Sequence, residues 1–249
     1  MSRLKASVIH LGATVLVLGG LYAVARRVWY PQPLWQADGA GPGFALVAAA
    51  LLVLGPVLTL IAYRPGKKRL RLDLAIIGLL QLAVLVWGGH MLYMRRIRIV
   101  VYSRTAFYAL DPAHIARIGP RGRTLLRHAQ EPLYVYVHLP HSKLALEQAE
   151  IRTLQGEPPL FLRGWRYRPY TKRQIPRVMA AGIPLVAIAA HNARAAAVLK
   201  RFEVRHGQAQ GYAFVPLHGT YATVLLALHK NTGQVAAVLP FSPGYGQNS

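Results

Sequence analysis

The sequence predicts a membrane protein with three N-terminal transmembrane helices followed by an α+β domain. Three runs of about twenty residues, at 6–25, 44–63 and 74–93, contain no formal charge. At a rise of about 1.5 Å per residue, each run reaches about 30 Å, the thickness of the hydrocarbon core of a bilayer. After residue 94, shorter helix-like and strand-like patterns replace the apolar runs. We therefore divide the chain into a transmembrane region, 1–94, and an α+β domain, 95–249.

The composition supports a membrane protein, indicates which partners it could bind and excludes cysteine chemistry. Hydrophobic residues make up 53% of the chain and charged residues 15%, which is too apolar for an ordinary soluble domain. Thirty Lys and Arg against eight Asp and Glu give a net charge of +22, which favours anionic partners such as nucleic acid, lipid head groups or an acidic protein. An arginine-rich lineage would give the same charge with no functional cause. The absence of cysteine excludes disulfides and thiolate chemistry.

The first apolar run has a second interpretation, a cleaved signal peptide. Its basic start, "MSRLK", and the small residues Ala23-Val24-Ala25 are typical of such a peptide. The run is longer than the usual apolar region of about 7 to 15 residues, however, and Arg26-Arg27 resemble the end of a membrane anchor. We favour a retained helix.

Polar and small residues within the apolar runs predict contacts between helices. Pro56, after Gly55, should bend the second helix because it removes a backbone donor. We expect His10, Gln81 and His90 to face other helices and find hydrogen-bond partners there, a structural role that we favour over a proton relay. Several glycines permit close approach of helices, either within the chain or to a foreign helix: Gly12, Gly19, Gly20, Gly88 and Gly89.

The distribution of cations gives only a weak prediction of orientation. Three spans place the N-terminus and the 64–73 loop on one side, and the 26–43 loop and the domain on the other. Seven cations on the first side favour the cytoplasm for it: Arg3, Lys5, Arg64, Lys67, Lys68, Arg69 and Arg71. Six on the second side nearly balance them: Arg26, Arg27, Arg95, Arg96, Arg98 and Arg104. The 28–43 loop carries Trp29, Tyr30 and Trp35, which we interpret as interfacial anchors on the non-cytoplasmic side.

The domain after residue 94 combines strand and helix patterns. Strands are predicted in "IRIVVYS", "RTAFYAL" and "LYVYVHL", and helices in 142–154 and from Asn192. Asp111 followed by Pro112 predicts a helix start. The apolar 177–190 stretch is too short to span a membrane, so a buried or interfacial helix is expected there. "KNTG" between two apolar runs predicts a hairpin near the C-terminus.

The domain shows no catalytic or cofactor signature. Its acids do not form a pair with catalytic spacing, since Glu147 and Glu150 are expected only to solvate a helix face. His138 and His141 are three residues apart, but no third metal ligand follows at a recognised spacing. Glycine motifs for nucleotides are absent. We therefore expect neither an enzyme nor a bound metal or cofactor, and no small-molecule substrate is evident.

The connector at 163–173, "RGWRYRPYTKR", is the candidate contact surface of the domain. Interleaved arginines and aromatics can stack on bases and neutralise phosphates. An exposed connector whose aromatic side chains pack onto the core explains the same pattern, and we favour it over a nucleic-acid site. The candidate partner-contact residues are Arg163, Trp165, Arg166, Tyr167, Arg168 and Tyr170.

Taken in order, "MSRLKASVIHLG", "VWYPQPLW", "LVLGPVLTLIAYRPGKKRLRLDLAIIGLLQLAVL" and "NTGQVAAVLPFSP" resemble the type IV pilin accessory proteins of the TfpX/TfpZ family. The similarity is strong at both ends of the chain and vague from about 104 to 210. The motif residues of the resemblance are Trp29, Tyr30, Pro31, Gly55, Pro56, Pro65, Gly66, Lys67, Lys68, Asp73 and Gln81.

The resemblance implies a multi-pass protein of the bacterial inner membrane that assists its cognate major type IV pilin without being a pilus subunit. It also implies that the α+β domain is extracytoplasmic, in the periplasm. Together with the absence of a catalytic motif, this leads us to expect a non-catalytic, pilin-specific accessory factor. Two alternatives stay open at this point: a membrane-anchored periplasmic sensor or ligand-binding module, and a DNA-contacting component of pilus-linked uptake.

Overall fold

A computed structural model describes residues 2–64, 66–127, 129–140 and 142–242. The chain forms two compact units. The first, here called the helical unit, comprises Met1–Pro31 and Gly39–Arg96. The second, here called the sheet unit, comprises Gln32–Asp38 and Ile97–Ser249. A seven-residue segment that precedes the second apolar run thus belongs with the C-terminal domain.

The helical unit is built from three long helices. The first four helices of the chain are α1 (Arg3–Val24), the short α2 (Leu34–Ala37) of the sheet unit, α3 (Ala40–Ala62) and α4 (Leu70–Met94). The first continues as a π-helical turn, Ala25–Trp29. Helix α1 packs against α3, and α3 packs against α4.

Each of the three long helices is long and apolar enough to cross a membrane. Their outward faces carry large apolar side chains, for example Leu16, Leu46 and Leu79, which are 79%, 75% and 67% exposed. A water-soluble helix shows the reverse pattern, with its apolar stripe turned to the core. The prediction of three long apolar helices is confirmed, and each begins three or four residues earlier than the charge-free run because the flanking residues also adopt helical conformation.

The described part of the sheet unit contains a seven-stranded mixed sheet in the order β4-β3-β1-β2-β5-β6-β7. Adjacent strands are antiparallel except for two parallel pairs, β1 with β3 and β2 with β5. Parallel neighbours require long crossovers, which here carry the helices. The elements are β1 (Ile99–Ser103), β2 (Ala106–Leu110), α5 (Pro112–Arg117), α6 (Gly119–Arg127), β3 (Leu133–Val137), α7 (Lys143–Leu154), β4 (Tyr167–Pro169), α8 (Ile175–Ala180), α9 (Leu185–Ala189), α10 (Ala193–His206), β5 (Tyr212–His218), β6 (Thr223–His229) and β7 (Val235–Leu239).

Both faces of the sheet are covered, which explains why all five residues of β1 are buried. Val100 and Tyr102 lie on one face, where they join a core with Leu34 of α2 and Val178 of α8. Alternate residues of the strands point to the opposite face. That face holds two further clusters, one with α5 and α6 that includes Ile99, Val101, Ile118 and Leu126, and one with α9 and α10 that includes Leu185, Val198, Phe202 and Leu225.

Several elements that were predicted from short sequence motifs are present in the structure. The Asp111 carboxylate accepts a hydrogen bond from the His114 N–H at 2.7 Å, and the Asn192 side chain accepts one from the Ala195 N–H at 2.9 Å, so both predicted helix starts are confirmed. The predicted C-terminal hairpin is β6 and β7. Gly233 in its turn has a φ of 69°, a conformation that glycine adopts without strain.

Other elements differ from the prediction. The single helix expected at 177–190 is broken into α8 and α9, because Pro184 disfavours helical geometry at Ile183. Ile183 instead donates its N–H to the Phe214 carbonyl at 2.7 Å. Four elements were not predicted: the short α2, α6 in a basic stretch, β4 in the connector, and β5, which contains Pro216.

Segment 32–38 packs inside the sheet unit. Leu34 and Ala37 are fully buried against the first sheet face. The Ala37 carbonyl accepts a hydrogen bond from the Ala222 N–H at 3.1 Å, in the loop between β5 and β6. A Cβ atom at Gly219 would lie 2.1 Å from that carbonyl, so glycine is required for this approach. Sequence reasoning treated this stretch as part of an interfacial loop, but the structure makes it part of a domain core.

Asp38 ends this segment and is 5% exposed. The pKa of its carboxyl group is raised to about 6, mainly by burial and to a smaller extent by the nearby Asp111, against the lowering effect of hydrogen bonds from the Thr220 side chain and backbone. The folded protein therefore holds this proton more tightly than the unfolded chain does.

We predict that stability falls as the pH rises through the range of Asp38 titration. The contribution is fully present below about pH 3.8, the unfolded value, and is lost as the pH passes about 6. Its size is about 1 to 2 kcal/mol after allowance for solvent screening. Asp38→Asn keeps an acceptor for Thr220 but cannot ionise, so this drop should be absent. Denaturant unfolding of the detergent-solubilised chain at several pH values measures it.

The control is Glu147→Gln, which removes an exposed acid on α7 and should retain the wild-type profile. Parallel pH profiles for the wild type and Asp38→Asn would contradict the prediction.

Candidate functional site

A polar cluster joins the three long helices. Its centre is His10 of α1, whose Nδ1 lies 2.7 Å from Thr59 Oγ1 of α3 and whose Nε2 contacts Gln81 Oε1 of α4. The Gln81 amide nitrogen donates to the Leu51 carbonyl at 3.0 Å. Three side chains from three helices are thereby tied into one hydrogen-bonded set.

The hydrogen bonds define one consistent protonation pattern for His10. Because the Gln81 amide nitrogen donates to Leu51, its Oε1 acts as the acceptor and the His10 Nε2 carries the proton. Nδ1 then accepts from the Thr59 hydroxyl. Both ring nitrogens are occupied within the helical unit, which favours the structural role over a ligand or a proton relay.

Gly55 and Pro56 are brought to the same cluster. A Cβ atom at Gly55 would lie 1.7 Å from the Gln81 amide nitrogen, so the glycine leaves room for that side chain. The Pro56 carbonyl accepts a hydrogen bond from the Ser7 hydroxyl at 2.9 Å. Three residues of the sequence motif, Gly55, Pro56 and Gln81, therefore act together. Beside them is a cleft of about 210 Å³, lined by residues such as Thr14, Gly78 and Leu82.

His90 differs from His10. It is exposed on α4 and shows no hydrogen bond to the described residues. The expectation of a hydrogen-bond partner is met for His10 and Gln81, but not for His90.

The remaining motif residues lie elsewhere in the helical unit. Tyr30 is buried and donates to the Leu92 carbonyl at 2.7 Å, which differs from the surface position of an interfacial anchor. The Trp29 ring packs edge-to-face on Tyr93, with centroids 5.5 Å apart, and Pro31 follows as a half-buried residue.

The turn between α3 and α4 holds the basic motif residues. Lys67 forms an ion pair with Asp73, Gly66 has a φ of 82° and Lys68 is exposed. Pro65 lies outside the described residues.

The connector residues 163–170 divide into structural and accessible groups. Arg163 is 3% exposed, donates to the Pro158 and Ala149 carbonyls at 2.8 and 3.1 Å, and pairs with Glu157 at 3.2 Å. Tyr167 is buried and donates to the Phe161 carbonyl at 2.5 Å. These two side chains form contacts within the domain and are not available to a partner.

The other candidate contact residues lie nearer the surface. Trp165 is 49% exposed, and Arg168 is exposed beside it. Arg166 donates to the His138 carbonyl at 3.1 Å. Tyr170 packs against Phe107 on the first sheet face, with ring centroids 6.0 Å apart, whereas Tyr167 belongs to the opposite face. The six candidates therefore do not form one continuous surface.

Trp165 and Arg168 line a groove of about 730 Å³. Its other wall is α6, which contributes Arg121 and Leu125. We call these four residues the Trp165 groove. Helix α6 was not predicted, because its sequence is basic and contains few apolar residues. The pair Leu125-Leu126 is the one feature of the sequence that could have indicated a helix there.

Among the described residues, no group of three or more His, Asp or Glu side chains is placed to hold a metal ion. His138 is exposed at the end of β3. His141, the second member of the spacing noted in the sequence, lies outside the described residues.

Comparison with known proteins finds three fimbrial assembly proteins of Dichelobacter nodosus. The chain is 29% identical to the serogroup E1 protein, 30% to the protein of serogroups C1 and C2, and 32% to the serogroup I protein, each over 113 residues or 45% of this chain. The match covers 86% of the C1 and C2 protein, but only 44% of the other two. No protein-family model matches the chain, and no solved structure matches it.

The fold defines a class of protein with three helices of membrane-spanning length and a mixed helix and sheet domain. Within that class, the chain belongs to the family of fimbrial assembly proteins that these D. nodosus sequences represent.

We predict that Gly55→Ala destabilises the helical unit. The added methyl group displaces the Gln81 amide, which loses its hydrogen bonds to Leu51 and His10. The side chain is flexible, so the main cost is the lost bonds, about 1 to 2 kcal/mol in total. The midpoint of thermal unfolding in detergent should fall.

The matched control is Gly78→Ala in α4, where an added Cβ atom meets nothing within 4 Å in the described part of the chain. It should leave the midpoint unchanged or raise it slightly, since alanine favours helix. Equal midpoints for the two variants would contradict the role assigned to Gly55.

Proposed function

We propose that this protein is a non-catalytic accessory factor of the bacterial inner membrane that assists assembly of its cognate major type IV pilin. The observation that carries the proposal is the kinship with three proteins named for fimbrial assembly. The match covers under half of two of them, so the activity and the partner are our own inference.

Membrane insertion is supported by the outward faces of α1, α3 and α4. Large exposed apolar side chains on all three helices would be unfavourable in water and suit lipid. Segment 32–38 packs within the sheet unit, so it lies on the same side of the membrane as that unit. The chain from 39 to 96 then crosses twice, as α3 and α4, and α1 crosses once.

We propose that the sheet unit is periplasmic. The short turn between α3 and α4 carries cations close to the helix ends, which favours the cytoplasm for that turn. Lys68, Arg69 and Arg71 are exposed there and suit the phosphates of lipid head groups. An odd number of crossings puts the C-terminal domain on the other side.

The pilin would be contacted in two places. In the membrane, an added Cβ atom at Gly12, Gly19 or Gly20 of α1 would meet no atom of the described residues within 4 Å, which leaves a small-residue surface for the apolar helix of a pilin. Outside it, the domain after residue 94 carries 21 cations and 6 acids, a net charge of +15. We propose that the Trp165 groove, with Arg121 and Arg168, contacts the globular part of the pilin.

A nucleic-acid partner has less support. The aromatic and basic pattern of 163–173 suggested stacking on bases, but Arg163 and Tyr167 are buried and bonded within the domain. We do not propose DNA binding.

Co-purification tests the proposal. The tagged full chain, extracted in detergent from its own host, should retain the cognate major pilin. Trp165→Ala should lower the recovered pilin about tenfold, since exposed tryptophans often dominate interfaces. Tyr221→Ala removes another aromatic, 64% exposed, and serves as the control that should retain the pilin.

A strain from which the gene for this protein is deleted provides a second test. Loss of surface pili without loss of the pilin subunit is expected, and complementation should restore the pili. Normal piliation of the deletion strain would overturn the proposed function, whereas equal pilin recovery for Trp165→Ala and the wild type would overturn only the proposed groove.

A further inference from the structure

A second cleft in the sheet unit is independent of the Trp165 groove. It measures about 240 Å³ and lies where the ends of β1 and β3 meet the turn that precedes α8. We call it the arginine cleft, defined by Tyr102, Arg104, Arg173, Gln174 and Arg177.

The Tyr102 side chain reaches this cleft from the core. The residue is 3% exposed, and its buried hydroxyl has no hydrogen-bond partner among the described residues. An unmatched buried polar group is costly, so it indicates that something outside the described residues can serve as its partner. Burial raises the pKa of Tyr102 to about 12, so the hydroxyl stays protonated and is able to donate.

Gln174 also presents donors. Its side-chain oxygen accepts hydrogen bonds from the Thr171 N–H and hydroxyl, both at 2.8 Å. Only its amide N–H groups are left for the cleft. This capping interaction also fixes the turn that carries Arg173.

The arginine cleft has an excess of positive charge. Arg104 pairs with Glu150 of α7. Arg173 and Arg177 are both exposed and form no ion pair with the described residues. They are four positions apart, which places them on one face of the turn and α8. Among the residues that the structure describes, none of those lining the cleft is acidic.

We propose that the arginine cleft binds a phosphate group. Its side chains offer hydrogen-bond donors from several directions, namely two guanidinium groups, an amide and a phenol. A phosphate monoester carries about −1.5 to −2 charges and three acceptor oxygens, which match two uncompensated arginines. A single carboxylate would neutralise only one of them. The volume is below the range of about 300 to 1,000 Å³ typical of drug-sized ligands, and so suits a small group.

Binding of inorganic phosphate to the detergent-solubilised full chain tests this proposal. Isothermal calorimetry at constant ionic strength should show saturable binding, with acetate and chloride as comparison anions. Arg177→Gln and Arg173→Gln should each weaken phosphate binding about tenfold or more, because each removes a charge-assisted contact. Tyr102→Phe should weaken it while preserving the core, since only the hydroxyl is lost.

Arg194→Gln is the matched control, because it removes an exposed arginine of α10 that does not line the cleft. It should bind phosphate as the wild type does. Circular dichroism of each variant confirms that the fold is retained.

Two further probes identify the source of the phosphate group. Competition by glycerol 3-phosphate would indicate a soluble phosphomonoester. Loss of phosphate binding in phosphatidylcholine vesicles that contain phosphatidic acid, compared with vesicles that lack it, would indicate a lipid head group.

Absence of saturable phosphate binding would overturn the proposal. It would also be overturned by equal binding of phosphate and acetate, or by unchanged affinity in both Arg173→Gln and Arg177→Gln. None of these outcomes depends on pilin binding.

Discussion

The packing of segment 32–38 against the sheet is the interaction on which the arrangement of the chain depends. Leu34 and Ala37 are fully buried there, and the Ala37 carbonyl is bonded to Ala222. The segment lies between α1 and α3, so the C-terminal domain includes a piece of chain from within the apolar region. Removal of this segment would therefore expose part of the core of the sheet unit. In the proposed topology, this contact assigns the segment to the side of the membrane that holds the sheet unit.

The helical unit uses a different kind of constraint. In lipid, the hydrophobic effect does not drive helices together. Their association depends instead on van der Waals packing and on hydrogen bonds between helices. Here the contact of His10 with Thr59 and Gln81 joins all three long helices, and Gly55 supplies the space that Gln81 requires. Motif residues that are far apart in sequence thus share one physical role. An added Cβ atom at Gly12, Gly19 or Gly20 of α1 meets none of the described residues within 4 Å, and the proposed pilin helix would use this surface.

The sequence predicted the elements whose signals are local. The caps at Asp111 and Asn192 and the turn at Gly233 depend on a few adjacent residues, and all three were predicted correctly. Strand β5 was not predicted, and it contains Pro216, a residue that is unusual within a sheet. It pairs with β2 at Leu217 and His218, beyond that proline. The burial of segment 32–38 depends on a loop far along the chain, and the Tyr102 hydroxyl becomes notable only once the cleft around it is formed. Neither could be predicted from periodicity or composition.

Cysteine labelling tests the central claim, that segment 32–38 and the sheet unit share one side of the membrane and the α3–α4 turn lies on the other. The natural chain has no cysteine, so single replacements give an unambiguous signal. Gln36→Cys, Asn231→Cys and Lys68→Cys place thiols at exposed positions in the segment, the β6–β7 turn and the α3–α4 turn. A membrane-impermeant maleimide applied to intact spheroplasts should label the first two, and should label Lys68→Cys only after the membrane is opened. Labelling of Lys68→Cys in intact spheroplasts, or of only one of the other two, would contradict the account.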